Sequence, residues 1–315
     1  MAGSPSRSTR NRSGAGASSS TCSNTPLCCK SPARPCHGWD MSETANGAAF
    51  VFLGGCPRSG LTLMRRLLSG HSRIHCGPDT GLPVAIAMQW ENFTTQLGDL
   101  HRRDFGLETE QVRANMARLL TGLLGEPIDC EPGHLLVEKT SLNVLAFERL
   151  GRLLPQARFV NIVRDGRDVA ASLLQRDWRG PDGRPFAHVS EPAAALQYWC
   201  GLTGIGLQAE AALGPERVLR LRYEDVVKKP KRSVTALLRF LGLDYEPATL
   251  NYSSHPIELI GLERDSLPLL DAPLTTGRIG AGRDLDGLVS AAVRDRLRGL
   301  GYGASTTPRR SVRPY

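Results

Sequence analysis

The chain has 315 residues and a formal net charge of +8 at pH 7, and this length allows a full hydrophobic core in one large domain. Most of the charge lies near the ends, since residues 1–40 carry five basic side chains and one acidic one, and residues 303–315 carry three arginines. The body between them is therefore close to neutral, and its composition gives no basis for nucleic-acid binding.

The N-terminal residues 1–45 are rich in Ser, Arg and Cys and show no apolar periodicity, which predicts a disordered tail. No apolar run approaches the roughly 20 residues that a membrane span needs, so we expect no integral membrane anchor. An organelle transit peptide and a true start at Met41 both stay open for this tail. We expect one folded domain over residues 46–303, a basic tail over 304–315 and a cytoplasmic protein.

The eight cysteines divide equally between the tail and the body. The tail set could be interpreted as a zinc site, but two of its cysteines are adjacent and no C-x-x-C pair occurs, so we expect no metal. The body cysteines are far apart in sequence, which favours buried, small apolar side chains. In chain order the cysteines are Cys22, Cys28, Cys29, Cys36, Cys56, Cys76, Cys130 and Cys200.

The first strong element is the apolar run Phe50–Leu53, which predicts a buried strand followed by a glycine-rich turn and a helix over Leu61–Leu68. Such a turn binds anions, because the first N–H groups of the helix have no partner within it. The spacing Gly55-x-x-x-x-Gly60 matches half of a nucleotide-binding P-loop, but Leu61 stands where an ATP or GTP site has lysine. The loop is therefore predicted to bind phosphate without a lysine at that position.

Further strand-like runs follow at Leu135–Val137, Phe159–Val163 and Val218–Leu221. Helical patterns lie between them, and Val112, Met116, Leu119, Leu120 and Leu123 mark the apolar face of the helix predicted over Leu107–Leu124. The other predicted helices cover residues 143–154, 169–176, 193–212, 233–241 and 290–300. Alternating strands and helices predict an α/β fold with a parallel sheet covered on both faces, whose ligands bind at the carboxyl ends of the strands.

Charged residues follow three of these strands, at Glu138-Lys139, Arg164–Asp168 and Arg222–Asp225. Cations that converge on an anion-binding loop favour a polyanionic ligand. Ser172 and Arg176 are four residues apart, so a helix would place them on one face, where they could hold a second phosphate together with Arg164. A capped amphipathic helix with a solvated arginine is the alternative interpretation of this pair.

The ordered motifs Pro57–Gly60, Cys76–Thr80, Glu138-Lys139, Arg164–Asp168 and Arg222–Asp225 resemble those of the PAPS-dependent sulfotransferases, and the tyrosylprotein sulfotransferase-like branch is the nearest. The resemblance runs from about residue 48 to residue 300. It implies a P-loop nucleotide-binding fold with a central parallel sheet flanked by helices. It also implies 3′-phosphoadenosine 5′-phosphosulfate (PAPS) as co-substrate, a hydroxyl-bearing acceptor and no metal ion.

The resemblance assigns roles to individual residues. Asp79 stands where the family has a catalytic glutamate and would be the base, although an isolated Asp-Thr pair is also typical of a helix cap. Lys139 would steady the bridging oxygen, Arg58 would neutralise the transferring group, and Thr275–Arg283 resembles a glycine-rich segment that folds over the co-substrate. The implied co-substrate contacts are Pro57, Arg58, Ser59, Gly60, Leu61, Thr62, Arg164, Ser172, Arg176, Tyr223, Thr276 and Arg283.

The sequence indicates the acceptor less clearly than the co-substrate. Gly81–Val84 carries none of the basic residues with which the protein-tyrosine enzymes hold acidic peptides, and Val137 stands where their Golgi members pair a cysteine with the one at Cys76. These departures favour a small-molecule, glycan or lipid hydroxyl, bound near Leu82–Phe93 with Trp90, and near Trp178 or Trp199. The alternatives are a protein-tyrosine sulfotransferase, a P-loop kinase or NTPase, and a non-catalytic nucleotide-binding protein; a homodimer also stays open.

Overall fold

The computed structural model describes residues 47–125, 133–251 and 274–303. The two predicted tails, the four tail cysteines and Cys130 lie outside these residues. The described part is built on five strands, β1 (Phe50–Gly54), β2 (Ile74–Cys76), β3 (Leu135–Lys139), β4 (Arg158–Val163) and β5 (Val218–Arg222). They form one parallel sheet with the strand order β2-β3-β1-β4-β5.

Helices cover both faces of the sheet, as the alternation of strands and helices predicts. The α-helices are α1 (Leu61–Leu68), α2 (Leu82–Asn92), α3 (Gly98–Phe105), α4 (Thr109–Gly125), α5 (Phe147–Leu153), α6 (Gly166–Leu173), α7 (Ala187–Ser190), α8 (Pro192–Leu213), α9 (Tyr223–Lys228), α10 (Pro230–Phe240) and α11 (Ala291–Gly299). A π-helical turn, Phe93–Leu97, joins α2 to α3, and 3-10 turns cover Ser141–Ala146, Pro247–Leu250 and Arg283–Leu288.

The central strand β1 shows why the sheet is buried on both sides. All five of its residues are buried, and neighbouring side chains point to opposite faces of the sheet. Phe50 and Phe52 enter one hydrophobic cluster, where Phe52 packs on Phe159 with 5.7 Å between ring centroids. Val51 and Leu53 enter a second cluster on the opposite face. A continuous apolar run therefore serves two cores at once, which is typical of a strand inside a parallel α/β sheet.

The predicted apolar face of α4 is partly wrong. Leu119 and Leu123 are 54% and 47% exposed, and the helix buries Ala117, Leu120, Thr121 and Leu124 instead. These four positions also follow the i, i+3, i+4, i+7 spacing of a helix face, so the sequence carries two overlapping apolar faces. Packing against the remaining structure buries the face that holds Ala117, Leu120, Thr121 and Leu124.

The segments that follow the strands, which the sequence predicts to bind the ligand, lie at the carboxyl edge of the sheet. The chain leaves β1 toward β2 on one side of the sheet, and it leaves β4 toward β5 on the other. Connections that diverge from adjacent strands open a crevice between them, which is where ligands bind in such folds. Strand β3 extends two residues beyond the predicted end, so Glu138 and Lys139 are part of the strand rather than of the following loop.

Candidate functional site

The glycine-rich loop after β1 has the strained backbone that close approach to a ligand requires. Gly60 has a φ of 101°, and a Cβ atom placed there would lie 2.6 Å from Cδ2 of Tyr223. A Cβ atom at Gly55 would collide with the carbonyl oxygen of Ile162. Arg58 adopts the left-handed conformation, with a φ of 74°, although it is not glycine. Such strain persists only where the surroundings impose it, and it is common at binding sites.

Two observations show that this loop fits an anion. The Ser59 side chain is buried, and its Oγ atom has no hydrogen-bond partner among the described residues. Gly60 is the N-cap residue of α1, and because glycine has no side chain it cannot cap this helix N-terminus. The N–H groups of the first turn and the Ser59 hydroxyl are therefore donors that an incoming phosphate can satisfy. These donors fit a phosphate or a similar oxyanion.

The structure explains why Leu61, at the position of the P-loop lysine, is apolar. The Leu61 side chain is 3% exposed and packs in the hydrophobic cluster with Met64 and Leu67. Leu61 can therefore contribute only its backbone N–H to a ligand, whereas Thr62, the next residue, is half-buried. The apolar residue at this position stabilises the seating of α1 on the sheet.

Arg164, the first residue after β4, is the central cation of the site. Its Nη1 donates to the carbonyl of Arg58 at 3.1 Å and its Nη2 to the carbonyl of Arg278 at 3.0 Å. The guanidinium lies 4.4 Å from the ring centroid of Tyr223, and its buried Nε has no partner among the described residues. Arg164 therefore links the glycine-rich loop Gly55–Gly60, called the phosphate loop below, to the C-terminal segment around Arg278, and it keeps one donor for an anion.

The predicted clamp for a second phosphate is assembled differently from the prediction. Nε of Arg58 donates to Oγ of Ser172 at 3.2 Å, so Ser172 contacts the phosphate loop. Helix α6 ends at Leu173, and Arg176 lies beyond it with its N–H bonded to the carbonyl of Leu173. The inference that Ser172 and Arg176 share a helix face is therefore wrong, because the helix begins and ends three residues earlier than predicted.

Asp79 and Lys139 meet although they are 60 residues apart in sequence. Asp79 follows β2 and Lys139 ends β3, and Lys139 Nζ donates to Asp79 Oδ1 in an ion pair. The lysine side chain is 1% exposed and the aspartate side chain is 34% exposed. A buried cation is thus paired with a carboxylate that still faces solvent, and both lie at the carboxyl edge of the sheet.

The predicted C-terminal segment also reaches this edge. The buried Asp168 carboxylate accepts the N–H groups of Gly280 at 2.9 Å and Gly282 at 2.8 Å. A Cβ atom at Gly282 would collide with the backbone of Arg167, so only glycine allows this approach. The segment therefore docks on α6 through its backbone, while the side chains of Thr276 and Arg283 are exposed.

The remaining charges of the motif after β4 build the scaffold. Asp165 caps α6 and pairs with Arg167 at 2.6 Å, and Arg167 also pairs with Asp286 at 2.7 Å. The hydrogen bonding of the Arg167 guanidinium to the Asp165 carboxylate is the main cause that raises the pKa of Arg167 above its ordinary value. Glu224 accepts the N–H of Asp165 and the hydroxyl of Tyr302, which ties the C-terminal region to the loop after β4.

Sequence reasoning did not assign a role to Glu138. This buried carboxylate accepts hydrogen bonds from Thr80, Thr140 and Asn143 and so binds the segment that carries Asp79. Its position beside Lys139 in the Glu-Lys-Thr run was the available signal. An acidic residue in a strand whose other residues are all apolar or buried indicates that partners for its oxygens lie nearby.

The tryptophans proposed for the acceptor pocket are mostly core residues. Trp199 is fully buried, and its Nε1 donates to the carbonyl of Arg164 at 3.0 Å, so it fixes Arg164 rather than lining a pocket. Trp90 is buried and stacks on Phe93. Trp178 is half-buried and approaches His188, whose ring stacks on Tyr198 at 4.2 Å. Only Trp178 of the three remains placed for an acceptor wall.

The buried cysteines agree in part with the expectation. Cys56 and Cys76 are buried, whereas Cys200 is half-buried. Burial raises the pKa of the Cys56 thiol. In the register of β2 and β3, Cys76 lies opposite Val137, so the cysteine pair of the Golgi enzymes cannot form at this place.

Comparison with known proteins decides the family. A model described as "Sulfotransferase family" matches residues 50–247, which is more than half of the chain. The chain belongs to the sulfotransferase family. The matched residues include the glycine-rich loop, the Asp79–Lys139 pair and Arg164.

Several relatives support the assignment. The chain is 28% identical over 214 residues to protein-tyrosine sulfotransferase 2 of Gallus gallus, which covers 67% of this chain and 54% of the chicken protein. It is 26% identical over 205 residues to protein-tyrosine sulfotransferase of Drosophila melanogaster, which covers 64% of this chain and 40% of the fly protein. This sulfotransferase thus spans about half the length of these curated relatives.

A solved structure supports the fold. The sulfotransferase domain of the Synechococcus PCC 7002 olefin synthase aligns with a TM-score of 0.59 and 20% identity, covering 82% of this chain and 96% of that domain.

Within residues 47–125, 133–251 and 274–303, no helix combines the length and the apolar composition of a membrane span. In the same ranges, no group of three or more His, Cys, Asp or Glu side chains could hold a metal ion.

Proposed function

We propose that the protein transfers the sulfuryl group of PAPS to a hydroxyl acceptor and releases 3′,5′-ADP. The observation that carries the proposal is the meeting of Asp79 and Lys139 at the sheet edge that also holds the anion-binding loop. A base and a cation side by side are what an acceptor hydroxyl and a developing negative charge require. Family membership supports the reaction class.

Each group has a task that follows from its surroundings. The Ser59 hydroxyl and the first N–H groups of α1 would bind the 5′-phosphosulfate, and the spare Nε donor of Arg164 would serve the 3′-phosphate. Asp79 would take the proton from the acceptor hydroxyl while the hydroxyl oxygen forms its bond to sulfur. Lys139 and Arg58 would neutralise the charge that develops as the bond from sulfur to the leaving phosphate oxygen breaks.

For the acceptor, we propose a small-molecule, glycan or lipid hydroxyl. The residues after Asp79 support this: Gly81–Val84 starts α2 without a basic side chain, so an acidic peptide would find no counter-charge there. Protein tyrosine is a second candidate acceptor, because the chicken and fly relatives are named protein-tyrosine sulfotransferases.

The transfer of radiolabelled sulfate from PAPS tests the reaction and the acceptor in one assay. The acceptor panel holds phenols, sterols, sugars and an acidic tyrosine peptide. Asp79→Asn keeps the shape of the side chain and should lower kcat by roughly 100-fold or more, which is the usual contribution of a general base. Asp295→Asn, a change in an exposed carboxylate of α11, is the matched control and should transfer sulfate at the wild-type rate.

Two results would contradict the proposal. Undiminished transfer by Asp79→Asn would remove Asp79 as the base. Calorimetric binding of ATP in preference to 3′,5′-ADP would instead favour a kinase or NTPase. If the tyrosine peptide alone is sulfated, the second candidate acceptor replaces the first.

A further inference from the structure

The Glu138 carboxylate is saturated with donors. Its Oε1 accepts from the N–H of Thr80 at 3.2 Å, from the hydroxyl of Thr80 at 2.7 Å and from the hydroxyl of Thr140 at 2.7 Å. Its Oε2 accepts from the N–H of Thr140 at 3.1 Å and from Nδ2 of Asn143. Hydrogen bonds to an ionised acceptor are roughly twice as strong as neutral ones, so this buried carboxylate is a firm anchor.

The network extends to three consecutive backbone N–H groups. The hydroxyl oxygen of Thr140 accepts from the N–H of Thr80 and of Gly81, both at 3.1 Å. The hydroxyl oxygen of Thr80 accepts from the N–H of Leu82 at 3.2 Å. Residues 80–82 form the entry to α2, and Gly81 holds a φ of 69° there. The backbone immediately after Asp79 is therefore positioned by side chains of β3 and its following turn.

Strand β3 holds this segment from both faces. Glu138 and Lys139 are neighbours in a strand, so their side chains point to opposite sides. Glu138 binds Thr80, while Lys139 binds Asp79. A lysine has a flexible stem and alone cannot define where its partner lies. The direction in which Asp79 leaves the backbone depends on how the backbone on either side of it is held, and Thr80, the residue that follows it, is held by Glu138.

We propose that Glu138 is a positioning residue that acts through Thr80 to hold the Asp79 carboxylate in place for proton transfer. The proposal rests on the proposed sulfuryl transfer and adds a residue to it that binds neither substrate. A base displaced by about 1 Å can cost roughly 100-fold in rate. The loss of this network should therefore lower kcat by a larger factor than it lowers the affinity for substrate. The phosphate loop lies after a different strand and makes none of these bonds.

Three variants test it. Glu138→Gln keeps the shape of the side chain, but its amide N–H groups would face groups that donate hydrogen bonds to Glu138 in the wild type. The substitution should lower kcat by roughly 10- to 100-fold. Thr80→Val removes one hydroxyl at an exposed position, so folding should be intact, and it should lower kcat by a similar factor. Thr80→Ser keeps the hydroxyl and should restore kcat to within about threefold of wild type.

The readouts separate positioning from a purely structural role. The affinity for 3′,5′-ADP should stay within about twofold in all three variants, since the phosphate loop is untouched. The double variant Glu138→Gln with Thr80→Val should be no slower than the slower single variant, because both substitutions break the same link from Glu138 through Thr80 to Asp79. Glu210→Gln alters another largely buried carboxylate, bonded to Asn161 and Arg220, and is the control for general loss of stability.

Amide hydrogen exchange gives a readout that does not depend on turnover. In Glu138→Gln the amides of Thr80, Gly81 and Leu82 should exchange faster, while those of β1 keep their wild-type rates. Unchanged exchange at residues 80–82, or a fall in kcat matched by an equal loss of 3′,5′-ADP affinity, would overturn the proposal. If the wild type transfers sulfate to no acceptor, the proposed function fails, and the exchange rates still decide whether Glu138 holds the segment.

Discussion

Gly60→Ala is the substitution for which the structure allows the sharpest quantitative prediction. Gly60 has a φ of 101°, and a Cβ atom added there would lie 2.6 Å from the Tyr223 ring. The positive φ alone costs an L-residue about 1–2 kcal/mol. Tyr223 is buried under the Arg164 guanidinium and cannot swing away, so overpacking adds about 1–3 kcal/mol.

The expected loss in the free energy of unfolding is therefore about 2–5 kcal/mol. For a domain of this size, each 1 kcal/mol lowers Tm by roughly 2–4 °C. Denaturant unfolding followed by circular dichroism measures the change, and calorimetry with 3′,5′-ADP measures the site. Since displacement of Tyr223 also moves Arg164, affinity for 3′,5′-ADP should fall together with stability.

A matched control isolates the contact from the backbone strain. Gly106, at the end of α3, has a φ of 64°, and a Cβ atom placed there would meet nothing within 4 Å. Gly106→Ala should therefore lose only about 1–2 kcal/mol and bind 3′,5′-ADP as the wild type does. If Gly60→Ala is as stable as Gly106→Ala and binds 3′,5′-ADP equally well, the contact with Tyr223 does not constrain the loop and the reasoning is wrong.

Three further predictions concern other parts of the structure. Arg164→Lys removes the guanidinium fork that joins two carbonyls, and calorimetry should show roughly 10- to 100-fold weaker binding of 3′,5′-ADP; equal affinity would argue against the fork. Asp168→Asn weakens the acceptor for Gly280 and Gly282, so their amides should exchange faster, whereas unchanged rates would show that other contacts hold the segment. Burial lowers the pKa of His188 below its ordinary 6.5, so the unfolded chain binds this proton more readily and stability should decline as the pH falls below about 6.5. Unfolding curves of His188→Phe should show a smaller decline, and an identical pH dependence in the variant would contradict this assignment.

The sequence was sufficient for the fold class. Four of the five strands were predicted, because runs such as Phe50–Leu53 are long and continuously apolar. The missed strand, Ile74–Cys76, has only three residues and an exposed histidine at its centre, so it carries no periodic signal. Helix α2 was also missed, since the Gly-Leu-Pro run at its start resembles a loop.

The side-chain partners within the site could not be predicted in the same way. Arg58 contacts Ser172, and Trp199 holds the Arg164 carbonyl, yet in each pair the two residues are separated by 35 or more positions along the chain. Helical spacing assigned Arg176 to the same face as Ser172, but α6 ends too early for that. Local periodicity says which residues could share a face, whereas the end of a helix depends on what packs beyond it.

What the sequence determined by itself is the order of anion-binding elements along a parallel α/β chain. Backbone chemistry explains this, because a strand, a glycine turn and a helix N-terminus form an anion site whatever surrounds them. What only the tertiary structure decided is how these elements combine: Lys139 with Asp79, Arg164 between two segments, and Glu138 beneath Thr80. These contacts join strand ends that are distant in sequence, and only the sheet order β2-β3-β1-β4-β5 brings them to one edge.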